Sequence, residues 1–411
     1  MLIEFSVGNY RSFKDVVTFS LVAAPIQHED ENIDVNNIFS ATKEINLLKS
    51  AVIYGANASG KSNLLRAMSF VGDFVANSAV GRRVKDPINT EAYRLSKDIE
   101  GEPSYFNIIF LIGSTRYRYG FEVDRQSVKS EWLYQTLRTK ESELFLREGS
   151  KIKVSAKFAE GKILVKNTRS NALFLSVVAQ FNGNIANDVT QWFERLITIA
   201  NLDDEESYSE ITHNAFFRNY RKEDLVKLVT GLDLGIKDIQ VIETPMPEYE
   251  NEMSYEIKTT HWKYDVEGNK VDTEYFDIED EESAGTQKLY RLSGLLISIL
   301  DDGEILIIDE LDARLHPLIT CAIVKLFNST KTNPNNAQLI FTTHDTNLLS
   351  CHLFRKDQVW FTEKNRYGAT DLYSLIEYKN LNDATLEQDY IAGRYGAVPF
   401  IGDLNRLLGK K

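Results

Sequence analysis

The run Gly55-Ala56-Asn57-Ala58-Ser59-Gly60-Lys61-Ser62 fits the pattern G-x-x-x-x-G-K-[ST] in full. Its glycines let a backbone wind closely around a phosphate where a Cβ would clash. An apolar run at 51–54 precedes it, and residues 63–76 follow with helical spacing. That strand, loop and helix order turns the amides of a helix N-terminus toward an anion. In this setting Lys61 reaches the β- and γ-phosphates and Ser62 ligates Mg²⁺, so ATP with Mg²⁺ is the expected ligand. The expected nucleotide contacts are Asn57, Ala58, Ser59, Gly60, Lys61, Ser62 and Asn63.

Three further segments complete a hydrolytic set. In Ile305-Leu306-Ile307-Ile308-Asp309-Glu310, four apolar residues predict a strand buried on both faces, with the acids at its C-terminal end. Ligands of open α/β sheets sit at that end. Asp309 suits a Mg²⁺ partner, directly or through water, and Glu310 suits the general base that polarises the attacking water. In Ile340-Phe341-Thr342-Thr343-His344-Asp345, a second such strand delivers His344 to the same edge. Ser283-Ala284-Gly285-Thr286-Gln287 opens a helix, where Ser283 and Gly285 can offer a hydroxyl and bare amides to a γ-phosphate. Between them lies Leu311-Asp312-Ala313-Arg314-Leu315-His316-Pro317.

The elements that must position these residues read as an α/β fold. Strands are predicted at 2–7, 16–22 and 51–54, with a polar loop over 25–46. Antiparallel strands follow at 105–112, 115–123 and 128–134, separated by Gly113-Ser114 and Asp124-Arg125 turns. Three-to-four spacing predicts helices over 172–181, 189–200 and 222–230. Strands return over 236–278, with a turn at Gly268-Asn269. A helix over 287–300, strands at 305–308, 338–342 and 359–362, and a helix over 319–328 complete the chain. The expected organisation is an N-terminal lobe over 1–138, an inserted helical and β region over 139–278, and a C-terminal lobe over 279–411. No heptad pattern long enough for a coiled-coil arm is present.

Composition is that of a globular protein, with 43% hydrophobic residues, 11% aromatic residues and 8 prolines in 411. A net charge of −13 argues against a generic nucleic-acid coat. Residues 140–169 run against it, with eight Lys/Arg to four Glu. Two cysteines, Cys321 and Cys351, are too few for a disulfide framework and fit a reducing compartment. No apolar segment approaches the roughly 20 residues of a membrane span, and no export signal is visible, so the expected location is the cytoplasm.

Together these motifs resemble the ABC-type ATPase heads of the structural-maintenance, RecF and OLD group. Ser283 to Gln287 resembles the signature L-S-G-G-Q, with Ala284 in place of a glycine and Thr286 added. Phe5 and Asn9-Tyr10-Arg11-Ser12-Phe13 resemble that group's opening strand and turn, which makes Arg11 a candidate nucleotide or partner-head contact. The resemblance implies two heads that sandwich two ATP molecules. Lys61, Ser62, Asp309, Glu310 and the switch histidine His344 then come from one head, with Ser283 and Gly285 from the other. His316 stands where such heads usually carry an interface aspartate, and no Q-loop glutamine can be assigned. More narrowly, the chain resembles RloA-like and abortive-infection ATPases. The match rests on the phosphate loop and Arg116-Tyr117-Arg118-Tyr119-Gly120-Phe121-Glu122. It rests also on Ser170-Asn171-Ala172-Leu173-Phe174-Leu175-Ser176, on residues 309–317, and on Gly393-Arg394-Tyr395-Gly396-Ala397-Val398-Pro399-Phe400. This implies a bacterial anti-phage sensor or regulator, at least dimeric, that responds to DNA or a phage-derived trigger. Its effector would be a separate TOPRIM or HNH nuclease, because too few residues follow Asp309 for a fused one. The alternative is a DNA-repair clamp of the RecF kind, which the basic stretch at 140–169 would serve. A transporter ATPase fits poorly, since the insertion is large and the signature divergent.

Overall fold

The computed structural model describes residues 1–80, 83, 85–199, 205–232, 235–245, 253–378 and 385–399. The order begins with β1 (Leu2–Gly8), β2 (Val17–Ser20), α1 (Glu31–Asn37), β3 (Ile38–Ser40) and β4 (Asn46–Leu48). Next come β5 (Ser50–Tyr54), α2 (Lys61–Asn77), β6 (Ser104–Ile112), β7 (Thr115–Val123) and β8 (Val128–Thr136). The middle holds β9 (Glu141–Glu148), β10 (Lys151–Val154), α3 (Phe174–Gln180), α4 (Asn184–Glu194), β11 (Leu196–Ile199), α5 (Glu205–Phe217) and α6 (Lys222–Gly231). A small antiparallel sheet follows, β12 (Asp238–Pro245), β13 (Met253–Tyr264) and β14 (Lys270–Asp277). The last part comprises α7 (Ala284–Asp302), β15 (Ile305–Ile308), α8 (Pro317–Asn328), β16 (Gln338–Thr342) and α9 (Asn347–Ser350). It ends in β17 (Val359–Lys364), β18 (Thr370–Ser374) and α10 (Leu386–Ile391).

The central sheet has the order β11-β15-β16-β5-β17-β18, parallel except for β18. Every residue of β5, β15 and β16 is buried. Alternate side chains point to opposite faces, so each strand feeds two cores. Ala51, Ile53, Ile305, Ile307 and Ile340 join one core with Leu64 and Met68 of α2. Val52, Leu306, Ile308 and Phe341 join the other with Leu292 of α7 and Ile323 of α8. Continuous apolar runs are what a parallel strand covered on both faces demands. Each such Val, Leu or Ile contributes about 1.5–3 kcal/mol by leaving water.

Helix α2 is shared between two sheets. Its far side packs on the seven-stranded antiparallel sheet, order β10-β9-β8-β7-β6-β1-β2. Phe74 of α2 meets Phe121 of β7 edge-on, with ring centroids 5.5 Å apart, inside the core that also takes Phe5 and Phe106. The sheet continues through β9 and β10, past residue 138. A buried ion pair sits within it. Glu131 of β8 and Arg147 of β9 stand 3.5 Å apart and are closed to solvent. Glu131 also accepts from the amides of Phe174 and Leu175, at 2.6 and 2.9 Å, where α3 begins. Arg147 donates to the carbonyls of Ala172 and Arg169, at 2.6 and 3.1 Å. The segment Ser170 to Ser176 is therefore a backbone lock between the sheet and the helices behind it.

Two sequence expectations change. The spacing over 189–200 predicts one helix, yet α4 ends at Glu194 and Leu196–Ile199 is a strand. Parallel pairing of Leu196 with Ile305 and of Ile199 with Ile308 outweighs local helical periodicity; residue 200 lies outside the described residues. The polar stretch 25–46 is not a plain loop. Asp30 accepts from the Asn32 amide and caps α1, and β3 pairs with β4 after it. Among the described residues the longest helix, α7, has 19 residues, and no helix is long and apolar enough to cross a membrane.

Truncating Arg147 leaves Glu131 charged and buried and strands several carbonyls. Arg147→Ala is expected to cost about 3–5 kcal/mol of stability, read as a lowered urea midpoint.

Candidate functional site

The loop between β5 and α2 has no room for larger residues at its two glycines. A Cβ on Gly55 would stand 2.5 Å from Ser59 Oγ and 2.6 Å from Thr362 O. On Gly60, at φ 121°, it would stand 2.4 Å from Thr370 Oγ1. Strands β17 and β18 brace the loop from outside. Ser59 Oγ lies 2.6 Å from Thr362 Oγ1, and Thr370 Oγ1 donates to the Ser59 carbonyl at 2.7 Å. No side chain caps the start of α2, so its first amides are left to an incoming anion. Lys61 folds back over the loop and donates to the carbonyls of Gly55 and Ala56, at 2.7 and 3.2 Å. Burial lowers its pKa, while Asp309, Glu310 and Asp312 oppose that shift.

Across the cleft the acids are held by one hydroxyl. Thr342, the last residue of β16, donates to Asp309 Oδ1 and accepts from the Glu310 amide at 2.8 Å. Glu310 itself is left-handed, at φ 48°. Its carboxylate lies 3.9 Å from His344 Nε2. The His344 amide leans toward Asp312 Oδ2 at 3.4 Å. A cleft of about 480 Å³ collects Asn57, Ala58, Ser59, Gly60, Lys61, Ser62 and Asn63 together with Glu310 and His344. Arg66 and Lys364 line it too. Sequence reasoning passed over both. Arg66 sits one turn beyond Ser62 on α2, which is the signal that could have found it. Lys364 arrives from the end of β17, which nothing local announces.

The donor set fits a triphosphate and its cation. The cleft offers open amides, one buried lysine, the Ser62 hydroxyl and the Glu310 carboxylate. Mg²⁺ takes one or two protein oxygens and leaves its other positions to phosphate and water. Groups of three or more His, Cys, Asp or Glu that could hold a metal by themselves are absent among the described residues.

Other expected residues lie elsewhere. Arg11 is drawn to Glu91, with its amide 2.7 Å from the Glu91 carbonyl and its guanidinium 3.0 Å from the carboxylate. Its neighbour Ser12 is the one that reaches the phosphate-loop helix, 2.8 Å from Asn63 Nδ2. Ser283 caps α7 by accepting from the Thr286 amide at 3.2 Å. Gly285 lies against the Arg314 carbonyl, 2.7 Å from where its Cβ would be. Neither residue lines the cleft of its own chain. Lys288, one turn on, is buried and donates to the carbonyls of Glu310, Leu311 and Ala313, at 3.3, 3.2 and 2.8 Å. The helix that Ser283 opens thus grips the turn that carries Glu310. His316 caps α8, its Nδ1 accepting from the Leu318 amide at 3.2 Å.

A family model described as "AAA domain, putative AbiEii toxin, Type IV TA system" matches residues 50–350. That span contains the phosphate loop, Ser283, Glu310 and His344, and leaves out Arg11 and the 393–400 motif. Among solved structures, the SMC head domain from Thermotoga maritima is similar at 12% identity and a TM-score of 0.43, over 91% of this chain and 98% of that one. No curated protein matches.

Gly60→Ala places a methyl on Thr370 at a backbone angle that alanine avoids. The expected loss is about 1–3 kcal/mol in thermal unfolding. Adding Thr370→Ala takes away the two closest atoms of the clash and should restore part of it.

Proposed function

The chain belongs to this AAA-domain family, and from that premise we propose that it is a Mg²⁺-dependent ATPase whose working sites form between two copies. One observation carries the reading: the phosphate loop, Glu310 and His344 line a single cleft. In the proposed reaction Lys61 and the α2 amides hold the β- and γ-phosphates. Glu310 takes the proton of the attacking water, and His344 orients that water against the γ-phosphate. When bound, Mg²⁺ on Ser62 and Asp309 would offset phosphate charge. Ser283 and Gly285 stand away from their own cleft, which supports a role in completing the partner's site. ATP then favours the closed pair because only the γ-phosphate touches both heads.

The biological role proposed is regulation of a separate effector, such as a TOPRIM or HNH nuclease, in bacterial anti-phage defence. The family description, which names a putative toxin, supports a place in such a system. The repair-clamp reading loses ground. Of the basic residues at 140–169, Arg147 is spent on Glu131 and Arg169 on the carbonyls of Ser78 and Ala79. Lys153 pairs with Glu143 at 2.9 Å.

Glu310→Gln is expected to lower ATP turnover by about 10²–10⁴-fold and to double in mass by light scattering when Mg-ATP is added. Lys61→Ala should stay at its unliganded mass. A Glu310→Gln protein that remains monomeric at saturating ATP would count against the composite site.

A further inference from the structure

The motif Gly393 to Val398 and the helix before it lie outside the matched family span, yet they pack beneath the ATP site. Tyr390 of α10 stacks on Phe361 of β17 and meets Tyr54, the last residue of β5, at a tilt, with centroids 5.4 Å away in each case. The Tyr54 hydroxyl donates to the carbonyl of Asp345 at 3.1 Å, one residue beyond His344. The Tyr390 hydroxyl donates to the Ala397 carbonyl at 3.1 Å. The backbone of Gly55, first residue of the phosphate loop, lies near enough to the same phenol to oppose the rise in its pKa that burial causes. Ala397 presents its carbonyl from a left-handed turn, at φ 57°. That turn is pinned through Tyr395, whose carbonyl accepts from Tyr373 and Tyr378 at 2.7 and 3.0 Å.

One turn earlier on α10, Glu387 grips the switch segment. Its carboxylate accepts from Thr346 Oγ1 at 3.0 Å and from Ser350 Oγ. Thr346 immediately precedes α9 and Ser350 is that helix's last residue. One carboxylate therefore spans the whole of α9 with charge-assisted bonds, and α9 begins three residues after His344.

We infer that Glu387 and Tyr390 are positioning residues for hydrolysis, with Glu387 setting the switch segment that carries His344 and Tyr390 bracing the phosphate loop from below. The 393–398 motif serves them by holding the Ala397 carbonyl in place. Neither residue lines the cleft, so both act through others. The inference rests on the ATPase reading above. Displacement of His344 by about 1 Å is enough to slow chemistry strongly while phosphate binding persists.

The test uses the full chain carrying Glu387→Ala, Glu387→Gln or Tyr390→Phe. Two readouts are taken, steady-state ATP hydrolysis and amide hydrogen exchange. Glu387→Ala should lower kcat about 10- to 100-fold with KM within about twofold, and should speed exchange over 343–351. Glu387→Gln keeps an acceptor for Thr346 and gains a donor for Ser350, so it should retain most of the rate. Tyr390→Phe keeps the ring stack and loses the hydroxyl bridge, and should speed exchange over 55–60. Unchanged exchange in both segments overturns the inference. So does a glutamine variant as damaged as the alanine one, or a loss of nucleotide affinity that accounts for the whole loss of rate. If the unmodified chain hydrolyses no ATP, the ATPase reading fails on its own, and exchange at 343–351 still decides the positioning role.

Discussion

Closure of both faces of β5, β15 and β16 is the constraint from which the rest follows. A polar side chain inside such a strand would cost several kcal/mol unless it found a partner. Chemistry is therefore pushed to the residues just past the strand ends. Because the strands are parallel and in register, with Ile308 beside Phe341 and Thr342 beside Ile53, those ends fall on one line. Gly55, Asp309 and His344 come together for that reason. Polar residues within these strands are partnered: Ser50 bonds Asn328, Gln338 bonds the Leu2 backbone, and Thr342 is satisfied by the groups it must hold, Asp309 and the Glu310 amide.

The same constraint explains what could be read from sequence. A strand buried on both faces is written as an unbroken apolar run, and the residue types at its end are written next to it. The segments that carry the phosphate loop, Asp309, Glu310 and His344 stood out in that way, and β1, β2, β5 to β8 and β15 to β17 were legible, whereas β9, β10, β11 and β18 were not. Local runs say nothing of a distant partner. Leu196–Ile199 is a strand only because β15 offers an edge, and its local spacing continues that of α4. Arg66 and Lys364 were missed because charge on a helix flank or a strand end reads as solvated surface. The Ser170 to Ser176 segment stood out in sequence without a reason, and the reason is a buried carboxylate and guanidinium on strands far away in the chain.

Charge shows the same gap between composition and structure. Eight basic residues over 140–169 suggest a surface field. Part of that charge is consumed within the fold, since Arg147 and Arg169 spend their donors on main-chain carbonyls. A guanidinium used to tie loops together contributes little to steering a polyanion.

The contacts between the start of α7 and the turn after Glu310 are made almost wholly to main chain. Gly285 faces the carbonyl of Arg314, and Lys288 binds the carbonyls of Glu310, Leu311 and Ala313. Such a joint is indifferent to the side chains on one of its two halves. For this joint residues 310–314 matter only through their backbone, while Leu311 and Leu315 answer to the core and His316 to α8; positions 285 and 288 tolerate almost nothing else.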